Sequence, residues 1–204
     1  MDTAVFHLIN NLAGGSSVAD AVVLAWARLG PLVLTALASM AWMVLPARDR
    51  SIMPRRLALI SIAAAVVALG IAQGIGHEWF RTRPYLVVPA HLLVPPSADP
   101  SFPSDHAVGA FALATPLLLD RQARGLGLAV LTGAIALALS RVFIGTHYPS
   151  DVLGGAALGS GVALVLVWVA TLVDRHAPVL WMPARSASHI TEQMLRVIRH
   201  ARRV

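Results

Sequence analysis

The sequence predicts an all-α integral membrane protein, a bundle of five to six transmembrane helices. Three observations carry that prediction. Of its 204 residues, 57% are hydrophobic and only 13% charged, against about 25% charged in soluble domains; the mean hydropathy is +0.71. Apolar stretches of membrane type recur along the chain, separated by short polar breaks. The arginines gather in a few of those breaks.

Residues 5–12 are a short apolar run holding His7, Asn10 and Asn11, and Gly14, Gly15, Ser16 and Ser17 interrupt it. Residues 20–29 read as a second short helix with Asp20 and Arg28. A bilayer crossing needs about 20 residues, so residues 1–30 are expected to form interfacial or partly inserted helices. A tilted or re-entrant sixth span from Val18 onward is the alternative. No basic stretch precedes the first apolar run, which argues against a cleaved signal peptide.

Five spans are expected at 31–45, 57–76, 104–119, 125–143 and 152–173, so the transmembrane domain covers 31–173. Small residues recur in them, among them Gly154, Gly155, Gly159 and Gly161, and small residues let helices approach closely in lipid. Residues 174–204 form a basic tail. In it Ile190, Met194, Val197, Ile198 and Ala201 make one helical stripe with Arg196, Arg199 and Arg203 opposite, the pattern of a helix lying on anionic lipid.

Orientation follows from the basic residues, all 16 of which are arginine. Loop 46–56 holds Arg48, Arg50, Arg55 and Arg56; loop 120–124 holds Arg121 and Arg124; the tail holds six more, which makes 12 of 16. Five spans put these regions on one face, and the positive-inside rule makes it cytoplasmic. Loops 77–103 and 144–151 then meet on the extracytoplasmic side. The formal charge of +6 is therefore topological and implies no nucleic-acid partner. With no cysteine, disulfides and thiolate metal sites are excluded.

Those two outer loops and the helix ends that border them hold Arg83, Ser104, His106, Arg141, His147 and Asp151. Charge at a hydrocarbon boundary suits phosphate chemistry on a lipid. Phosphoryl transfer needs cations around three oxygens, an in-line nucleophile and an acid for the leaving group. Arg83 and Arg141 can each grip phosphate with a planar fork. Ser104, after Pro103, is placed as a helix N-cap, where free N–H groups favour an anion. Asp151 can accept from one nitrogen of His147 and leave the other as a nucleophile. His77 and Glu78 read as an interfacial pair, and His91 as a loop residue.

Arg83-Pro84, then Pro103-Ser104-Asp105-His106, then Ser140-Arg141 followed by His147 and Asp151, resembles the three-part signature of the type-2 phosphatidic-acid phosphatase superfamily. The Asp105 variant, with Ser101-Phe102 before it and Gly145-Thr146-His147-Tyr148-Pro149 after, resembles the bacterial undecaprenyl-diphosphatase branch. The motifs span about 40% of the chain. The resemblance implies that His147 attacks phosphorus, Asp151 orients it, and His106 protonates the leaving group and then activates water. It implies phosphate binding by Arg83, Arg141 and Ser104 with Asp105, and neither metal nor cofactor. Where the family usually has a lysine, seven residues before Arg83, this chain has Gly76, and Arg81 is the candidate to supply the charge.

The implied activity is hydrolysis of undecaprenyl diphosphate to undecaprenyl phosphate and inorganic phosphate, at the outer face of the plasma (inner) membrane, in recycling of the cell-wall carrier lipid. A phosphatidylglycerophosphate or phosphatidate phosphatase is the alternative with the same residues. Outside that class stand a non-catalytic membrane binding or transport protein and a vanadate-dependent haloperoxidase.

Overall fold

A computed structural model describes residues 1–44 and 53–176. Among them are six α-helices and no strand: α1 (Asp2–Asn10), α2 (Ser17–Val44), α3 (Met53–Glu78), α4 (Asp105–Leu118), α5 (Arg124–Phe143) and α6 (Pro149–His176). A single turn of 3-10 helix lies at Pro84–Leu86. The arginine-rich loop and the amphipathic tail expected from the sequence lie, for residues 45–52 and 177–204, outside the described residues.

Among the described residues, four helices hold stretches long and apolar enough to cross a membrane: Ser17–Ala41, Arg56–Glu78, Arg124–Phe143 and Pro149–Val173. Their outer faces carry large apolar side chains, among them Leu32, Val66, Leu139 and Leu153, a surface that lipid solvates and water does not. The chain is a multi-pass membrane protein.

The first 30 residues depart from expectation. Residues 17–44 are one continuous helix that runs through Pro31, not a short interfacial helix followed by a span. A proline inside a helix costs a hydrogen bond, which is why a boundary was expected there. Burial overrides it: Ala27, Leu34, Ala38 and Ala41 fall on one face and are all buried, and α2 packs against α5, α3 and α4.

The span expected at 104–119 is the second departure. Helix α4 has 14 residues, about 21 Å at 1.5 Å per residue, too short for a hydrocarbon core of about 30 Å. It need not face lipid, because α3 and α5 cover it and Ala107, Val108, Ala110, Leu113, Ala114 and Leu117 are buried. The core joins Leu34 and Ala38 of α2, Leu57 of α3, Leu113 and Leu117 of α4, and Val130 and Leu137 of α5.

Glycine brings α6 against α4. A Cβ at Gly155 would stand 2.7 Å from the Ser104 carbonyl oxygen and 3.0 Å from Ala107 Cβ, with less room still at Gly159 beside Val108. That close approach sets the start of α6 beside the start of α4. Two compact units divide the chain, Met1–Val167 and Trp168–Val204, and the site lies in the first. In the second, the described part is the end of α6, where Thr171 Oγ1 donates to the Trp168 carbonyl at 2.6 Å.

Candidate active site

The turn that presents His147 follows from one glycine. Gly145 sits at φ +86°, the left-handed conformation that ends many helices. Its N–H donates to Val142 O at 3.1 Å and that of Thr146 to Arg141 O at 3.1 Å, a Schellman pair that closes α5. The chain then reverses into α6 and leaves His147 between the helices. The preceding loop is pinned in two places. Tyr85 Oη donates to Ser97 O at 2.6 Å and accepts from Ser97 N at 2.8 Å. The buried Asn10 side chain donates to His91 O and Phe143 O and accepts from His91 N.

His147 is 3% exposed, and its Nδ1 lies 2.7 Å from the Ser101 carbonyl oxygen. A carbonyl can only accept, so the ring carries its proton on Nδ1. That leaves the lone pair on Nε2, which lies 3.5 Å from Arg83 Nη1. Burial holds the His147 pKa below its ordinary value, the Arg83 and Arg141 charges act in the same direction, and Asp151 opposes them. At neutral pH the ring is an uncharged imidazole with a free Nε2.

Asp151 was expected to be that hydrogen-bond acceptor, and here the structure differs. Its Oδ2 stands 3.8 Å from Nδ1, beyond hydrogen-bond reach. Oδ2 instead accepts from Ser101 Oγ at 2.5 Å and Tyr148 N at 2.8 Å, while Oδ1 accepts from Arg81 Nη1. Asp151 therefore fixes Ser101 and Tyr148, the residues on either side of the ring, rather than the ring itself.

Arg81 was expected to replace the missing lysine near the phosphate. It does not line the cavity. Its Nη2 donates to Asp2 Oδ2 at 2.7 Å and its Nη1 to Ser150 Oγ at 2.6 Å as well as to Asp151, so its fork is occupied by protein. No lysine fits at Gly76 without rearrangement, since even a Cβ there would stand 2.9 Å from Pro100 Cγ.

The cavity has a volume of about 380 Å³, and Arg83, Asp105, His106, Arg141, Thr146 and His147 are among its lining residues. Arg83 is aimed by two carbonyls, Asp99 O at 2.9 Å from Nε and Thr146 O at 3.3 Å from Nη1. Arg141 Nε and Ser104 Oγ are buried and have no hydrogen-bond partner; a buried polar atom left unpaired is costly, and an anion in the cavity would relieve Arg141, which lines it, whereas Ser104 is not among the lining residues. Ser104 occupies the N-cap position of α4, but its hydroxyl makes no cap bond, contrary to expectation. Asp105 departs further: its Oδ2 accepts from Gln73 Nε2 at 2.8 Å. A carboxylate repels phosphate, so Asp105 can offer an anion only the N–H groups of its helix start.

The model of the PAP2 superfamily matches residues 56–175, well over half of the chain. This chain belongs to the PAP2 superfamily. The matched stretch runs from the start of α3 to the end of α6, so it takes in every cavity-lining residue and leaves α1 and α2 outside. Among curated proteins, undecaprenyl-diphosphatase BcrC of Bacillus subtilis is 28% identical over 76% of this chain and 76% of its own length. Decaprenylphosphoryl-5-phosphoribose phosphatase of Mycobacterium tuberculosis is 39% identical over 61% of this chain and 69% of its own. The crystal structure of Aquifex aeolicus LpxE has the same fold, with a TM-score of 0.64 at 24% identity, over 81% of this chain and 94% of that one. The PAP2 chain described here is thus a membrane phosphatase.

Three participants escaped the sequence reading. The Ser101 carbonyl leaves no trace in residue types, because every residue has one. Gln73 and Asp2 lie far along the chain from the groups they contact, with nothing local to mark them. His77 and Glu78, expected as an interfacial pair, and His91, expected in a loop, are exposed, and the backbone of His91 is bonded to Asn10.

Proposed function

We propose that this PAP2 phosphatase hydrolyses a polyprenyl diphosphate, undecaprenyl diphosphate in the first place, through a phosphohistidine on His147. One observation carries the chemistry: the Ser101 carbonyl holds the Nδ1 proton, so the lone pair is on Nε2, where Arg83 Nη1 approaches it only to 3.5 Å. Nε2 attacks the terminal phosphorus and the bond to the bridging oxygen breaks. His106, which lines the same cavity, takes up a proton as the diphosphate's negative charge enters beside it, gives that proton to the bridging oxygen, and polyprenyl phosphate leaves. His106 then takes a proton from water as the water's oxygen displaces Nε2, and inorganic phosphate departs. Arg83 and Arg141 neutralise the equatorial oxygens throughout.

The prenyl assignment is supported by the relatives, both named for prenyl substrates, and by the Pro103-Ser104-Asp105-His106 variant. With α4 crossing inside the bundle under the cover of α3 and α5, the arginine asymmetry supports an extracytoplasmic site. Phosphate release by the purified protein in matched mixed micelles tests the substrate: prenyl diphosphate should exceed phosphatidate about tenfold in kcat/KM, a difference of about 1.4 kcal/mol in the barrier. Equal or reversed rates move the protein to phospholipids. His147→Ala should lose both turnover and the acid-labile phosphoenzyme, whereas His106→Ala should retain a trappable phosphoenzyme.

A further inference from the structure

Helix α1 lies outside the stretch that matches the superfamily, yet its first residue reaches the back of the site. Asp2 accepts from Ser150 N at 3.0 Å, Ser150 Oγ at 2.5 Å and Arg81 Nη2 at 2.7 Å. Arg81 spans from there to the fully buried Asp151, its guanidinium 4.3 Å from the centroid of the Tyr148 ring. The line continues from Asp151 Oδ2 to Ser101 Oγ and from Ser101 O to His147 Nδ1.

We propose that Arg81 and Asp2 are positioning residues: the Asp2–Arg81–Asp151 bridge holds the Asp151 carboxylate on Ser101, and so keeps the Ser101 carbonyl on the His147 ring. The inference rests on His147 being the nucleophile. The bridge is needed because Asp151 is a buried carboxylate 3.8 Å from Nδ1. With Arg81 on Oδ1 its charge is matched, and its second oxygen stays with Ser101 and Tyr148. Without Arg81 the bare carboxylate competes with the Ser101 carbonyl for the Nδ1 proton. The unmatched negative charge also favours the protonated ring, against the Arg83 and Arg141 cations that face it, with His106 and Asp105 the other titratable neighbours. The first turns the ring away from the line on which Nε2 meets phosphorus, and the second takes the free base out of the working pH range. Asp2 acts one step further out by anchoring the other arm of the guanidinium.

The test compares Arg81→Gln, Arg81→Lys and Asp2→Asn in the full chain, purified in detergent, with thermal unfolding followed alongside. Arg81→Gln should lower kcat by about tenfold or more while KM stays within about threefold. It should also move the acid limb of the kcat/KM profile upward by about half a pH unit or more. Arg81→Lys, which restores the charge, should recover the limb and most of kcat. Asp2→Asn should give a smaller loss of the same kind, and the double variant should be no worse than Arg81→Gln alone, because both act through one bridge. If Arg81→Gln fails to fold, Asp2→Asn, at the half-exposed end of the bridge, carries the same readouts. A rise in KM alone would make Arg81 a substrate contact, and lowered thermal stability with kcat and the acid limb unmoved would make the bridge merely structural; either result overturns the proposal. His147→Ala separates the two readings. If it stays active the nucleophile assignment falls; if it is dead while the Arg81 and Asp2 variants behave as wild type, only the bridge falls.

Discussion

Gly145→Ala is the sharpest perturbation the site offers. The residue sits at φ +86°, where an L side chain costs about 1–2 kcal/mol. Space is the larger problem. A Cβ there would stand 2.6 Å from His91 O and 3.3 Å from Asn10 Nδ2, where ordinary contact begins near 3.4 Å. The carbonyl cannot swing away, because Asn10 Nδ2 holds it at 2.9 Å. The Schellman turn must therefore move, and His147 is only two residues on. A misplacement of about 1 Å at a reacting group costs on the order of 10²-fold in rate, or about 2.7 kcal/mol of barrier. Gly161→Ala is the matched control, since a Cβ there meets nothing within 4 Å and alanine favours a helix. Phosphate release in detergent, with thermal unfolding in parallel, should show Gly145→Ala down by about 10² in kcat/KM and Gly161→Ala unchanged. If Gly145→Ala kept activity within about threefold of wild type while folded, the turn would not be what places the nucleophile.

Other expectations follow from the same geometry. With His147 as the proposed nucleophile, attack needs the neutral ring and burial depresses its pKa, so activity should fall with decreasing pH only well below about 6.5; an acid limb at or above that value would contradict a buried, neutral nucleophile. Asp151→Asn should cost less than the roughly 10⁴-fold seen where an aspartate itself sets a histidine tautomer, because the Ser101 carbonyl still holds Nδ1; a loss equal to that of His147→Ala would return the orienting role to Asp151. Single cysteines at Ser97 and Arg121 report orientation: an impermeant reagent on intact cells should label the first and spare the second, and the opposite pattern reverses the topology.

Some features of this protein are decided by its residue order alone. An apolar stretch of about 20 residues must satisfy its own backbone hydrogen bonds in lipid, so membrane helices are legible locally. The catalytic types are legible for another reason. A lone histidine, arginine or aspartate at a bilayer boundary reaches water cheaply, and it is the joint spacing of Arg83, His106, Arg141, His147 and Asp151 that marks them. Four of these five meet in one cavity.

Tertiary packing decided the rest. Pro31 is a break by local propensity, and only the burial of Ala27, Leu34 and Ala38 carries α2 through it. The 14 residues of α4 match a span in composition but not in length, and α3 and α5 shelter it from lipid. Which oxygen holds the His147 ring was undecidable from side chains. Asp151 lies four residues after His147 and Ser101 lies 46 before it, yet the Ser101 carbonyl holds Nδ1 at 2.7 Å while Asp151 stands 3.8 Å away. Arg81 was assigned to phosphate as the charge that replaces the lysine missing at Gly76, and it turned to the far side because two carboxylates, Asp2 and Asp151, wait there. A guanidinium goes where buried charge needs matching, and that is settled by which distant segments the fold brings together.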